Sequence, residues 1–386
     1  MKIAVEASIL LRRNKTGVAY YGHSLIGALA RAKTDDDFYL CFMQFAGRPS
    51  VDLGIKGPNV FSRRIWFFPS KIYNALDHYL IPPPIDLLAM IRADVFFFPN
   101  FFRWPLLLTR NSVVVIHDLG FVETPEYIVP RHRKYLCRRV PQSARRASHI
   151  IAISESTKRQ LVTHYDIAPE KISVVTPAVD VNKYKPATDQ EVDAVKAKYG
   201  ITKPYLLYLG TIEPRKNIRS ILEGYLELPE EIQSQYQLVL AGGKGWLDEE
   251  IYELAYRLPE GSLVRTGYVV DGDEPALYTG ATLFLYPSHY EGWGMQLLEA
   301  MACGTPVITA RNSSLPESGG DAAAYVKTGD AKELSELIES LLKDQKRREE
   351  MVRLGTIHIK KFTWEASAKV LSEVLKRFDP KASKKN

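Results

Sequence analysis

"TLFLYPSHYEGWGMQLLEAMACGTPVITA", Thr282 to Ala310, contains a strand, a loop, a helix and a second strand in order. TLFLYPS is a short apolar run of strand length. HYEG follows as a loop. From Gly294 or Met295 onward, apolar residues recur at helical spacing. Met295, Leu298 and Ala302 share one face, with Leu297 and Met301 beside them. PVITA then reads as the next strand. Glu291 falls in the loop ahead of the helix and Glu299 about one turn inside it. Eight positions exceed two helical turns, so these carboxylates would not face each other on one continuous helix.

The same alternation runs through the chain. KIAVEA is a strand and GVAYYGHSLIGALARA the helix after it. Further strands are expected at FYLCFM, DVFFFP, SVVVIHD, HIIAIS and ISVVTP, with helical patterns such as ESTKRQLVTHY between them. These runs are apolar throughout rather than alternating, which signals burial on both faces, as in a parallel sheet. A looser, charged stretch covers roughly Val181 to Lys203. The pattern then restarts with YLLYLG, YQLVLAG, SLVRTGYV, TLFLYPS and PVITA.

A chain of 386 residues is too long for one comfortable core. Two successive βαβ series predict two doubly wound α/β domains, residues 1–185 and 204–362, joined by the charged stretch. Residues 363–386 would hold a last helix, WEASAKVLSEVLKRF, that could pack back on the first domain. The tail DPKASKKN is expected to lack fixed structure. Ligands of such sheets bind outside the carboxyl ends of the strands, so two facing domains would enclose a cleft.

Composition narrows the class further. With 46% hydrophobic and 25% charged residues, the chain is not of the disordered kind. A net charge of +6 allows a phosphate-bearing ligand or an anionic membrane without requiring either. The three cysteines, Cys41, Cys137 and Cys303, suggest neither a disulfide framework nor a metal knuckle, and point to a reducing compartment. MKIAVEASILL is interrupted by Glu6 and followed by Arg12, Arg13 and Lys15, so it reads as a buried strand rather than a signal peptide. No apolar run reaches the roughly eighteen residues that span a bilayer. A cytoplasmic protein is expected, in solution or peripheral on the inner face of the plasma membrane.

Four stretches carry candidate chemistry. In PSHYEGWGMQLLEAMACGTPVI, Gly292 and Gly294 permit close backbone approach, and a helix start attracts anions. Taken singly, Glu291 is an ordinary loop residue and Glu299 an ordinary helix residue. In LGTIEPRKNI, Arg215 and Lys216 place a planar fork beside a point charge, suited to a pyrophosphate. An isolated Arg-Lys pair is more often two solvated cations. In VVVIHDLGFVETPEY, His117 and Asp118 end a strand. A lone buried histidine is usually structural, and Asp118 could simply cap the turn. In RRNKTGVAYYGHSL, Gly17 precedes the first helix. The absence of G-x-G-x-x-G argues against an NAD enzyme.

Together these stretches resemble the retaining glycosyltransferases of family 4, and in particular bacterial mannosyltransferases of O-antigen or capsule synthesis. The family pattern is Glu, seven residues, Glu, with glycines after the first and GTPVI beyond. Gln296 stands where many members have proline, and Trp293 where many have phenylalanine. ISESTKRQL, RTGYVVDGDEPALYTGAT, NSSLPESGGDAAAYV and FTWEASA extend the resemblance over nearly the whole chain.

That resemblance implies the GT-B fold, two Rossmann-like domains facing across a cleft. It also implies transfer of a hexosyl group, mannose favoured, from a nucleotide-sugar to a hydroxyl of a glycan or lipid-linked glycan, with retention. GDP-mannose is the favoured donor and a UDP-sugar the runner-up. Arg215 and Lys216 would hold the diphosphate in place of a metal ion, Glu291 the sugar hydroxyls and Glu299 the ribose. His117 would approach the sugar from the first domain. Gly17, Gly292, Gly294, Met295 and Gln296 would lie near the phosphates, and Tyr268 and Val269 near the base. No cofactor beyond the donor is implied. A catalytically silent sugar-nucleotide-binding subunit, or a phosphorylase or epimerase of the same fold, are the alternatives.

Other features weigh less. AGGKGW lacks the P-loop spacing, Asp271–Asp273 only imitates a metal-binding D-x-D, and eight histidines show no zinc spacing. No nucleic-acid motif is present. PRHRKYLCRRVPQSARRASH holds seven Lys/Arg between Arg131 and Arg146. It is either a solvated helical face or a contact for anionic lipid, each cation there contributing about 1 kcal/mol. RRIWFFPSKIY, Arg63 to Tyr73, could add aromatic insertion.

Overall fold

The structure, a computed structural model, describes residues 1–11, 17–32, 35–45, 52–79, 81–243, 245 and 249–381. The expectations resting on Arg12, Arg13 and Lys15, on Lys244 and Trp246 of AGGKGW, and on tail residues 382–386 lie outside the described residues. The chain divides into two compact units. The first comprises Met1–Val122, Ile128–Pro177 and Trp364–Asn386; the second comprises Glu123–Tyr127 and Ala178–Thr363.

Among the described residues, the first unit is built on seven parallel strands. They are β1 (Lys2–Glu6), β2 (Asp37–Met43), β3 (Val60–Ile65), β4 (Val95–Phe98), β5 (Asn111–Ile116), β6 (His149–Ala152) and β7 (Ile172–Val174). Their order is β3-β2-β1-β4-β5-β6-β7, so the winding reverses between β1 and β4. Val5 of β1 lies opposite Leu40 on one side and Phe97 on the other. Every residue of β4 is buried, as its VFFF sequence requires of a strand covered on both faces. Truncating Phe97 to alanine there should cost about 3–5 kcal/mol. β3 was not expected from the sequence. It is an edge strand with Phe61, Ser62 and Arg63 exposed, so it needs no continuous apolar run.

The second unit holds six strands among the described residues. They are β8 (Tyr205–Leu209), β9 (Gln237–Ala241), β10 (Leu263–Gly267), β11 (Leu283–Tyr286), β12 (Val307–Ala310) and β13 (Ala323–Val326). The order β10-β9-β8-β11-β12-β13 reverses between β8 and β11. All of its pairings are parallel. The four-residue, alanine-rich β13 carries too little apolar pattern to be read from sequence.

The charged stretch between Val181 and Lys203 holds a helix, Asp189–Tyr199. Thr188 and Glu191 form a reciprocal capping box at its start, and Gly200 closes it at φ +71°. The terminal helix Trp364–Lys376 packs on the first helix, Gly17–Arg31. The Trp364 ring meets those of Tyr20 and Tyr21 at 6.1 and 5.8 Å, and Ser367 donates a 2.7 Å bond to the Thr176 carbonyl.

Candidate active site

In an open α/β sheet, the loops that leave the two neighbouring strands at the reversal run to opposite faces and leave a crevice outside the strands' carboxyl ends. In the second unit those strands are β8 and β11. The loop after β8 carries Arg215 and Lys216, and the loop after β11 carries Glu291. Lys216 Nζ lies 2.7 Å from Glu291 Oε1, and Arg215 Nη1 lies 3.2 Å from Oε2. Arg215 also donates to the Tyr290 carbonyl at 2.8 Å and to Glu213 Oε1 at 2.8 Å. Lys216 donates further to the Tyr286 hydroxyl at 2.7 Å. Two cations and two carboxylates therefore form one charge-balanced cluster.

Local backbone chemistry explains how the cluster is held. Pro214–Lys216 is a single 3-10 turn that ends at Asn217 in the left-handed region, φ +56°. Asn217 tolerates that conformation better than most residues. Its side-chain amide donates to the Pro287 carbonyl at 2.9 Å, tying the two loops together. The His289 N–H donates to the Arg215 carbonyl at 2.9 Å, adding a second tie. The loop after β9 comes close as well. A Cβ on Gly242, φ +151°, would sit 1.8 Å from the Gly210 carbonyl oxygen, so no side chain fits there.

Glu291 is anchored from the far side too. Its N–H bonds Ser313 Oγ at 3.0 Å, and Ser314 Oγ donates to its carbonyl at 2.9 Å. Burial alone would raise its pKa, but Lys216 and Arg215 outweigh burial and hold it at about 2. Each of its oxygens accepts one bond from a cation. An ionised carboxylate has about four acceptor positions, so capacity remains for further donors.

The helix begins at Met295, after Gly294 at φ +107°, and no side chain caps it. Gln296 meets the cluster through Tyr286, whose hydroxyl donates to Oε1 at 3.2 Å. Glu299 lies one turn further on, half-buried, and accepts from the Tyr278 hydroxyl at 3.0 Å. Burial pushes its pKa up to about 7. The two glutamates thus have opposite environments: one is fixed ionised, the other stands near its midpoint at neutral pH. Tyr268 and Val269 follow β10, at the edge of the sheet and two strands from β8. The first is exposed and the second buried.

In the first unit, His117 follows β5 and is buried. Its Nε2 lies 2.9 Å from the Pro99 carbonyl, at the end of β4. A neutral ring donates through that nitrogen and leaves Nδ1 as acceptor. Burial lowers its pKa to about 4. Asp118 accepts from the Gly120 N–H at 2.9 Å and caps the turn. Gly17 opens the first helix and is exposed.

Sequence reasoning missed Glu213, Tyr286, Tyr278, Ser313 and Ser314. Glu213 had a local signal, an acid two residues before the Arg-Lys pair. The tyrosines had none, because aromatic strand ends and helix residues usually report only core. The basic stretch needs one correction. Arg139 is not on a solvated face; it is buried and pairs with buried Asp77 at 2.5 Å. Among the described residues, no group of three or more His, Cys, Asp or Glu is placed to hold a metal ion. Nor is any helix long and apolar enough to cross a membrane.

A crevice with a cation pair and a carboxylate suits an anionic ligand, and sequence comparison gives the family. Residues 191–357 match the family described as Glycosyl transferases group 1, and residues 16–183 match Glycosyltransferase Family 4. The chain belongs to the glycosyltransferases of GT-B fold. It resembles bacterial mannosyltransferases. It is 36% identical over 269 residues to the O-antigen chain mannosyltransferase B of Escherichia coli, covering 69% of this chain and 70% of that one. It is 32% identical over 272 residues to the serotype-specific mannosyltransferase WbdA of Escherichia coli, covering 68% of this chain and 33% of that protein. The sucrose-phosphate synthase of Thermosynechococcus elongatus shares the fold, with TM-score 0.73, 19% identity and 98% coverage of both chains.

Proposed function

We propose that this glycosyltransferase moves a mannosyl group from GDP-mannose to a hydroxyl of a glycan or lipid-linked glycan, retaining the anomeric configuration. The observation that carries the reading is the Arg215–Lys216–Glu291 cluster at the β8/β11 reversal, in a chain 36% identical to a mannosyltransferase.

In this reading the donor diphosphate takes up the cations that Glu213 and Glu291 hold. As the bond to the sugar breaks, negative charge grows on the phosphate. Arg215 and Lys216 stabilise that charge without reorganising, which is where preorganised charge contributes most. The same pair makes a divalent metal unnecessary. Glu291, fixed ionised, accepts from sugar hydroxyls with its remaining lone pairs. Glu299 accepts from the ribose, and the uncapped helix start at Met295 and Gln296, with Gly292 and Gly294, lies by the phosphates. Tyr268 and Val269 flank the base. Gly17 and His117 are assigned to the phosphate and sugar by resemblance alone. A lipid-linked acceptor would bring the enzyme to an anionic membrane from the cytoplasmic side.

A thermal-shift screen of nucleoside diphosphates and their sugars tests the donor; stabilisation by UDP-sugars alone would overturn the GDP assignment. NMR of the product's anomeric proton tests retention, and an inverted product would refute it.

A further inference from the structure

Most hydroxyls around Glu291 are already committed elsewhere. The Ser313 hydroxyl accepts from the Glu291 N–H at 3.0 Å and donates to Asn312 Oδ1 at 2.8 Å. The Ser314 hydroxyl serves the carbonyls of Glu291 and Trp293, at 2.9 and 3.1 Å. Tyr208 donates to the Thr211 carbonyl at 2.8 Å, and Tyr286 to Gln296 Oε1 at 3.2 Å. A hydroxyl has one proton to give, so these side chains have none left for the Glu291 carboxylate.

Ser288 is different. It is wholly buried, and its Oγ has no hydrogen-bond partner among the described residues. Buried polar groups are nearly always paired, because an unmade bond leaves the desolvation cost uncompensated. Ser288 lies in the loop after β11, at the reversal of the sheet and shortly before Glu291. Burial raises the pKa of Glu291, while Lys216, Arg215 and the nearby Ser288 hydroxyl lower it. The hydroxyl is thus within reach of the carboxylate without making a well-formed bond to it in the free site.

The backbone that carries this hydroxyl is pinned. The Pro287 carbonyl accepts from the Asn217 amide at 2.9 Å, and the Ser288 carbonyl from Asn312 Nδ2 at 2.9 Å. The His289 N–H donates to the Arg215 carbonyl at 2.9 Å. Rotation of the side chain itself is the freedom that remains.

In the free site Glu291 receives one bond from Lys216 and one from Arg215. Glu213 stands behind Arg215, and burial keeps the neighbouring phenols of Tyr208 and Tyr286 neutral. A buried carboxylate that yields its cations to a diphosphate needs other donors or takes up a proton. We propose that Ser288 is a positioning residue of the donor site: its hydroxyl turns to Glu291 as the diphosphate draws Lys216 and Arg215 away. Glu291 then keeps its charge and its orientation toward the sugar hydroxyls. The unpartnered hydroxyl of the free site is the reserve donor of the loaded one. This rests on the reading of Arg215 and Lys216 as partners of the diphosphate.

The test is Ser288→Ala, which removes a single hydroxyl. Release of GDP from GDP-mannose by the full chain is followed from pH 4.5 to 8, with a synthetic mannoside as acceptor. The kcat profile reports groups of the loaded enzyme, and the kcat/KM profile those of the free enzyme. At neutral pH kcat should fall about tenfold, the scale of one hydrogen bond to a charged group, with KM within about twofold. The acid limb of kcat should move up by about one pH unit, because loaded Glu291 protonates more easily without the hydroxyl. The acid limb of kcat/KM should stay in place, because the cations hold Glu291 in the free site. The unfolding midpoint of the free variant should equal or exceed that of wild type, since no bond is lost there. A lowered midpoint would show that the hydroxyl is already bonded in the resting fold, and superposed kcat profiles that Glu291 does without it; either overturns the proposal. Lys216→Ala, measured alongside, separates the two readings. Near-normal turnover in that variant overturns the diphosphate assignment and this proposal together. A crippled Lys216→Ala beside an unaffected Ser288→Ala removes Ser288 alone.

Discussion

Lys216 and Glu291 stand 75 positions apart and meet at 2.7 Å between Nζ and Oε1. Both are buried, so neither charge has water to fall back on. Their attraction to each other, and Arg215's to both Glu213 and Glu291, is what permits four charges in one crevice. A cluster of this kind is costly to hold for stability alone. It is suited to exchanging one anion for another.

Lys216→Ala should lower turnover at least a hundredfold, by analogy with removal of other preorganised charge-stabilising groups. Acceptor-dependent release of nucleoside diphosphate is the measurement. Turnover near wild type would remove Lys216 from the phosphate.

Glu291→Ala should destabilise the folded chain by about 3 kcal/mol, because it strands Lys216 as a buried, unpaired cation. Denaturant unfolding reports it. A second substitution, Lys216→Met in the same chain, should recover much of the loss.

Glu299 and His117 should give opposite pH dependences. Glu299 has its folded pKa raised from 4.5 to about 7, so the folded state holds more protons between these values. Its contribution to stability is present at low pH and lost as pH rises through 7. His117 has its folded pKa lowered from 6.5 to about 4. Its contribution is complete above 6.5 and lost as pH falls toward 4. Unfolding midpoints across pH 4 to 8 should show Glu299→Gln flattening the first slope and His117→Gln the second.

Nucleotide binding should release a proton near pH 7. If Glu299 accepts from ribose hydroxyls as proposed, its ionised form is the better acceptor, so the bound nucleotide would draw its pKa down. Calorimetry in two buffers of different ionisation enthalpy measures the release, which Glu299→Gln should abolish.

If Arg215 and Lys216 hold the diphosphate as proposed, chelators should leave turnover intact. A strict requirement for added magnesium or manganese would contradict that role.

Much of the architecture was legible in the chain. Runs such as FFF in β4 and VVVI in β5 state their burial on both faces directly, because a parallel sheet covered by helices leaves no polar side. Two of the four edge strands were not legible, because β3 is half polar and β13 is alanine-rich; the edge strands β7 and β10 were legible as ISVVTP and SLVRTGYV. The helix Asp189–Tyr199 was hidden by charge, though its Thr188–Glu191 cap was a readable signal.

The residue types of the candidate site, and their placement at strand ends, came from the sequence. Which groups touch came only from the fold. Spacing along Glu291–Glu299 said only that the two carboxylates do not face each other; that the partners of Glu291 are Lys216 and Arg215, and that Glu299 accepts from Tyr278, needed the fold. Likewise seven cations in one helix looked alike until Asp77, from a helix more than fifty residues earlier, buried one of them. Local sequence determines periodicity and backbone options. Pairing across β8 and β11, and the charge balance it creates, depends on long-range strand order, to which no short window of sequence is sensitive.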